Sequence, residues 1–95
     1  MERLNEFELE LLETLPVEPI GFSLADYADD LLGSHGPVDK GKVRRALERI
    51  GQVLGPLHTC RGIDGFGRSE TLYGLRAAVM PRVRAFFASR TLQNV

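Results

Sequence analysis

Five cations crowd into ten residues near the middle of the chain: Lys40, Lys42, Arg44, Arg45 and Arg49, in the segment KGKVRRALER. Side chains of this kind, with no serine, cysteine or histidine among them, hold anions; their chemistry is recognition rather than bond-making. Interleaved with them, Val43, Ala46, Leu47 and Ile50 recur at the spacing of one helix face. The segment therefore reads as a helix that buries one side and charges the other. At about 3.6 residues per turn, Gly41, Arg45 and Glu48 point away from the buried stripe. Lys42 and Arg49 lie on one flank and Arg44 on the other. A helix of this shape fits the major groove of double-stranded DNA, which is wide enough to admit one. Arg45 is the candidate base contact, because its fork grips guanine at two atoms. Lys40, Lys42, Arg44 and Arg49 are placed for phosphates, which position a protein without reading sequence. Gly41, near the helix start, would allow close approach, and the helix dipole there favours a phosphate. The alternative is an ordinary amphipathic helix whose arginines are solvated and pair with acids elsewhere in the chain.

The remaining reactive side chains point to no other chemistry. His35, His58 and Cys60 are the soft metal ligands, and no CxxC or HxxxH spacing joins them, so no metal site is expected. Neither histidine has a serine, cysteine or carboxylate at meaningful spacing, so no catalytic residue is assigned and the chain is read as a non-enzyme. Cys60 has no partner for an internal disulfide, which fits a reducing cytoplasm. The glycines of GIDGFG, Gly62 to Gly67, lack the Walker lysine and the GxGxxG order; they suit a hairpin turn, and no cofactor is expected. Asp29 and Asp30 read as a solvated pair, although they fall near a helix end where the dipole disfavours acids.

Positioning those cations requires several elements, and the punctuation of the chain supplies them. Asn5 with Glu8 forms a capping-box pattern ahead of a first helix whose stripe is Leu4, Phe7, Leu11, Leu12 and Leu15; Pro16 and Pro19 end it. Ile20-Gly21-Phe22 is long enough only for a bridge strand. Ser23 with Asp26 caps a second helix, with Leu24, Tyr27, Ala28 and Leu31 inward and Gly33 as its stop. SHGPVD is a tight connection, with Pro37 in the first turn of the cationic helix. That helix is expected to run to about Ile50, with Gly51 as its cap. LHTCRGI and ETLYGL then read as two strands around the turn DGFGRS. RAAVMPRVRAFFASR places Val79, Val83, Phe86 and Phe87 on one face of a last helix, with Pro81 in its first turn. The fold class is mainly α with a small β-hairpin, an α+β chain in the order helix, short strand, helix, helix, hairpin, helix.

The 95 residues make one domain, residues 1–95, with 43% apolar and 26% charged residues. No apolar run approaches the roughly 20 residues of a membrane span, and the acidic opening MERLNEFELE has no apolar core of a secretory signal, so a cytoplasmic location is expected. The net charge of −1 conceals a division: residues 1–39 hold ten acids and one base, and residues 40–95 hold eleven bases and three acids. Such halves describe a polarised molecule with one basic surface, unless folding interleaves them.

Three segments together resemble the winged helix-turn-helix superfamily: SLADYADDLLG as the second helix, DKGKVRRALERIG as the recognition helix, and CRGIDGFGRSETLYGLR as the wing. The likeness in pattern and order spans residues 5–88 and is to bacterial and phage regulators. It implies a DNA-binding transcription regulator whose third helix enters the major groove while the wing touches an adjacent groove or the backbone. Carried onto this chain, the wing contacts are Arg61 on the outgoing strand and Arg68 at the tip, with Ser69 as a phosphate donor. The tip departs from a strongly basic wing in carrying Asp64 and Phe66, and Glu48 on the recognition helix repels phosphate unless it accepts from a cytosine amine. Val79, Val83, Phe86 and Phe87 form a candidate homodimer seam that would present two recognition helices to a two-fold site; the alternative places both rings in the core. The rival use of the same fold is protein interaction, as a subunit or small inhibitor of a host complex, through the acidic first helix (Glu6, Glu8, Glu10 and Glu13).

Overall fold

Helix α1 (Glu6–Thr14) starts at a reciprocal cap, in which the Glu8 N–H donates to Asn5 Oδ1 and the Asn5 N–H to Glu8 Oε1, each at 2.8 Å. The computed structural model describes residues 3–93, with side chains through residue 89. Leu4, Leu11, Leu12 and Leu15 are buried as the stripe requires, and Leu9 joins them. Leu9 lies off the stripe because α1 packs against two helices, α2 and α3, which widens its buried side. Helix α2 (Leu24–Leu32) opens on a second box, Asp26 N–H to Ser23 Oγ at 3.1 Å and Ser23 N–H to Asp26 Oδ2 at 3.4 Å. It stops at Gly33, whose φ of 76° suits a residue without a Cβ.

Helix α3 (Pro37–Leu54) is longer than its glycine predicts. Gly51 does not cap it: the helix runs through that position to Leu54 and stops at Gly55, ahead of Pro56. A glycine inside a helix costs about 1 kcal/mol relative to alanine, and burying Leu54 and half-burying Val53 offsets this. Arg82 closes the end by donating from Nη1 to the Leu54 carbonyl at 3.2 Å, a cation at the negative pole of the helix.

Strands β1 (His58–Ile63) and β2 (Ser69–Gly74) pair antiparallel, from His58 opposite Gly74 to Ile63 opposite Ser69. The bridge segment docks on the free edge of β2: Phe22 N–H donates to the Tyr73 carbonyl at 3.0 Å, and Tyr73 N–H returns to Phe22 O at 2.8 Å. Gly74 is required there, since a Cβ would stand 2.3 Å from the Ile20 carbonyl oxygen. A short 3₁₀ turn (Ala77–Val79) leads into α4 (Met80–Gln93), with Pro81 in its first turn. The described residues thus form four α-helices and one two-stranded hairpin, an α+β arrangement. One core joins them, with Leu11, Leu12, Val43, Ile50 and Leu75 at its centre. Among the described residues, no helix is long and apolar enough to cross a membrane.

Two of the four candidate dimer-seam residues are taken up by the core. Val79 and Val83 are buried in the chain's own core, and Phe86 and Phe87 are half-buried against it.

Candidate nucleic-acid interface

The cations of α3 separate into two flanks with different neighbours. On the α1 side, the Lys42 ammonium stands 4.6 Å from the centre of the Phe7 ring, a cation–π contact. Arg49, half-buried, donates from Nη2 to the Arg3 carbonyl at 3.0 Å. Both candidate phosphate contacts thus have neighbours of their own chain, because their angular position is on the side of α3 that α1 packs against. On the other side, Lys40 and Arg44 face the hairpin. Arg44 lines a shallow groove of about 260 Å³ with Leu47, Glu48, Leu57, Thr59 and Tyr73. Lys40 lines a second, of about 240 Å³, between the start of α2 and the β2 residues Glu70, Thr71 and Tyr73.

Strand alternation extends this concave side along the hairpin. Thr59 is opposite Tyr73, Arg61 opposite Thr71, and Ile63 opposite Ser69, so these six share one face of the ribbon. Near the base that face closes on Arg44; farther out it presents Arg61, whose Nη1 donates to Ser69 Oγ at 3.3 Å. Lys40, Arg44, Arg61 and Ser69 are therefore brought to one side of the molecule. Thr59, Thr71 and Tyr73 belong to that side too, and sequence reasoning missed them. The signal was present: Thr59 lies two positions from Arg61, Thr71 is opposite Arg61, and Tyr73 lies two positions from Thr71. Glu48 shares the Arg44 groove and Glu70 the Lys40 groove, so each cation has an acid nearby and the surface is less positive than its lysines and arginines alone.

Arg45 is exposed on the outer face of α3, as its position on the helix requires, but Gly41 is not. Gly41 is buried, and a Cβ there would meet Arg45 Nη1 at 3.4 Å. Long helical side chains lean toward the N-terminus, so the guanidinium lies back over the glycine one turn earlier. The open notch expected at Gly41 is covered.

The five residues of the hairpin tip, Asp64 to Arg68, are closed by their own hydrogen bonds. Asp64 N–H donates to the Arg68 carbonyl at 2.8 Å and Gly67 N–H to the Asp64 carbonyl at 3.0 Å, with Gly67 at φ 77°. Asp64 Oδ1 accepts from the Arg68 N–H at 2.9 Å and the Phe66 N–H at 2.8 Å. These bonds, the Arg68 amide first, hold the Asp64 carboxyl below the usual carboxylate range. Arg68 itself is engaged, with Nε 3.6 Å from Asp64 Oδ2 and its guanidinium 5.3 Å from the centre of the Phe66 ring.

Two acidic features change their reading in three dimensions. Glu8 is buried in the α1 cap and leaves the acidic surface expected of that helix. Asp29, at the unfavourable end of α2, lies 2.7 Å from His35 Nδ1 in the turn that follows, which supplies the partner its position lacked. Among the described residues, no group of three or more histidine, cysteine or acidic side chains could hold a metal ion. The chain matches no family model, no curated protein and no solved structure.

Proposed function

We propose that this chain is a winged-helix DNA-binding protein, a small regulator that lays α3 in the major groove and acts without chemistry. The observation that carries the reading is the concave side shared by Lys40 and Arg44 of α3 and Arg61 of the hairpin. A duplex lying along α3 would meet these cations at its phosphates, while Arg45 on the outer face reaches the base edges. Lys42 and Arg49 support the helix against α1 instead of the backbone. Arg68 reaches a phosphate only by leaving Asp64, so its contribution is smaller than that of Arg61. Glu48, beside Arg44, is an acceptor for a cytosine amine and a source of specificity rather than affinity.

The test is fluorescence anisotropy on a random-sequence duplex of about 30 base pairs at low and moderate salt. With three to four phosphates neutralised, the logarithm of affinity should fall against the logarithm of salt with a slope of about −3. Arg45→Glu should abolish binding at moderate salt. Absence of binding even at low salt would overturn the DNA reading and leave the same fold used for protein interaction through Glu6, Glu10 and Glu13 of α1.

A further inference from the structure

The most exposed aromatic ring of the described residues sits at the hairpin tip. Phe66 is 83% exposed, and Ile63, where β1 ends, is 76% exposed. The loop beneath the ring is fixed by the two amide bonds to Asp64 Oδ1 and by the turn at Gly67, so the ring is presented on ordered backbone rather than on a mobile end. One guanidinium borders it: Arg68 lies against the ring while its Nε stands 3.6 Å from Asp64 Oδ2. The one carboxylate at the tip, Asp64, is turned into the loop by its own hydrogen bonds. A preorganised flat apolar group, with a guanidinium at its face, complements the stacked bases of a duplex.

Resting on the DNA-binding reading, we propose that Phe66 is a wedge that enters the minor groove next to the site of α3 and partly separates one base step. Apolar side chains used this way unstack a step and bend the duplex away from them. The steps that yield most easily are pyrimidine–purine steps, TA and CA/TG. The wedge therefore adds a preference for a flexible step at a fixed distance from the bases that Arg45 reads. The ring reads deformability, while the cations on the hairpin side of α3 hold the backbone.

The chain contains no tryptophan, so Phe66→Trp places a single indole at the tip, where exposure leaves the fold undisturbed. Titration with a duplex rich in TA steps should quench and shield that indole as anisotropy reports binding. Phe66→Ala should weaken binding about tenfold and remove the bend measured by energy transfer between the duplex ends, while keeping the salt dependence of the wild type. An indole unchanged on a bound duplex, or Phe66→Ala binding and bending as wild type does, overturns the wedge and leaves the DNA reading standing. Failure of wild type and both variants to bind duplex overturns both. An indole shielded without DNA, increasingly so with protein concentration, assigns the tip to a second copy of the chain and overturns the wedge.

Discussion

On the α1 side of α3, Lys42 stands over the Phe7 ring and Arg49 holds the Arg3 carbonyl; on the hairpin side, Lys40 and Arg44 face threonines, a tyrosine and the strand that carries Arg61. The residue types on the two flanks are the same. What differs is the neighbour: a helix packed close enough to engage a cation, or a ribbon that splays away and leaves a concavity. A cation already in contact with its own chain gains less from a phosphate, because it must give up that contact on binding. The flank that faces the hairpin is therefore the one expected to set affinity.

The comparison breaks most completely if the hairpin loses its seat. Gly74 lets the bridge segment approach β2, and a methyl at that position would stand 2.3 Å from a backbone oxygen that cannot step aside. Gly74→Ala should cost about 3 kcal/mol in a denaturant titration, and the surviving fold should lose its DNA affinity with its concavity. A variant as stable as wild type would show that the hairpin is not held where it is described. Next in size is charge reversal on each flank. Arg44→Glu should weaken duplex binding about tenfold and lower the salt slope by about one. Lys42→Glu, which gives up the contact with Phe7, should change affinity by no more than about threefold, the share of a screened charge off the interface. Equal losses from the two would erase the distinction between the flanks.

Much of the scaffold was legible from local chemistry. Both capping boxes, the Gly33 stop, the Pro37 start and the Phe22 bridge depend on residues a few positions apart, or on composition that leaves few alternatives. The end of α3 was not, because the burial of Leu54 is a tertiary gain that a local reading of Gly51 omits. The candidate site was legible in its residue types and only partly in its geometry. A helical wheel separates Lys42 and Arg49 from Arg44, but nothing in the spacing says which flank another helix will cover. Likewise, Val79, Val83, Phe86 and Phe87 carry no mark in the sequence that distinguishes a core from a seam; the first two are buried and the two rings half-buried.

Tyr27 tests how firmly the hairpin side is built. Its hydroxyl donates to the Tyr73 carbonyl at 2.5 Å, which also accepts from the Phe22 amide, and its ring meets Phe22 edge-on with centres 6.0 Å apart. Because the carbonyl keeps a second donor, Tyr27→Phe should cost only about 1 kcal/mol at neutral pH. Burial raises the Tyr27 phenol above its ordinary value. A folded-state pKa above the unfolded one means the stabilisation is intact below about pH 10 and declines above it, as the unfolded phenol ionises and the folded one does not. Wild type should therefore lose stability above pH 10 more steeply than Tyr27→Phe, by up to about 1.4 kcal/mol per pH unit. Parallel profiles would mean that the phenol is not held neutral against β2.

The smallest effects come from two glycines on α3 itself, and they separate helix stability from the site. A Cβ at Gly51 would meet nothing within 4 Å, whereas one at Gly41 would touch Arg45 Nη1 at 3.4 Å. Alanine at either position should stabilise the helix by about 0.5–1 kcal/mol, since it removes backbone freedom from the unfolded chain. Gly51→Ala should do this and leave duplex affinity unchanged. Gly41→Ala should stabilise it as much while setting a methyl in contact with the Arg45 guanidinium, so thermal unfolding cannot tell the two apart but duplex binding can. If Arg45 reads bases from its folded-back position, affinity falls in Gly41→Ala alone. If it must swing outward to reach them, the alanine releases it and affinity rises. Identical affinities for the two variants would show that Arg45 meets the duplex in a position the Gly41 methyl does not reach, and Arg45→Glu then decides its share.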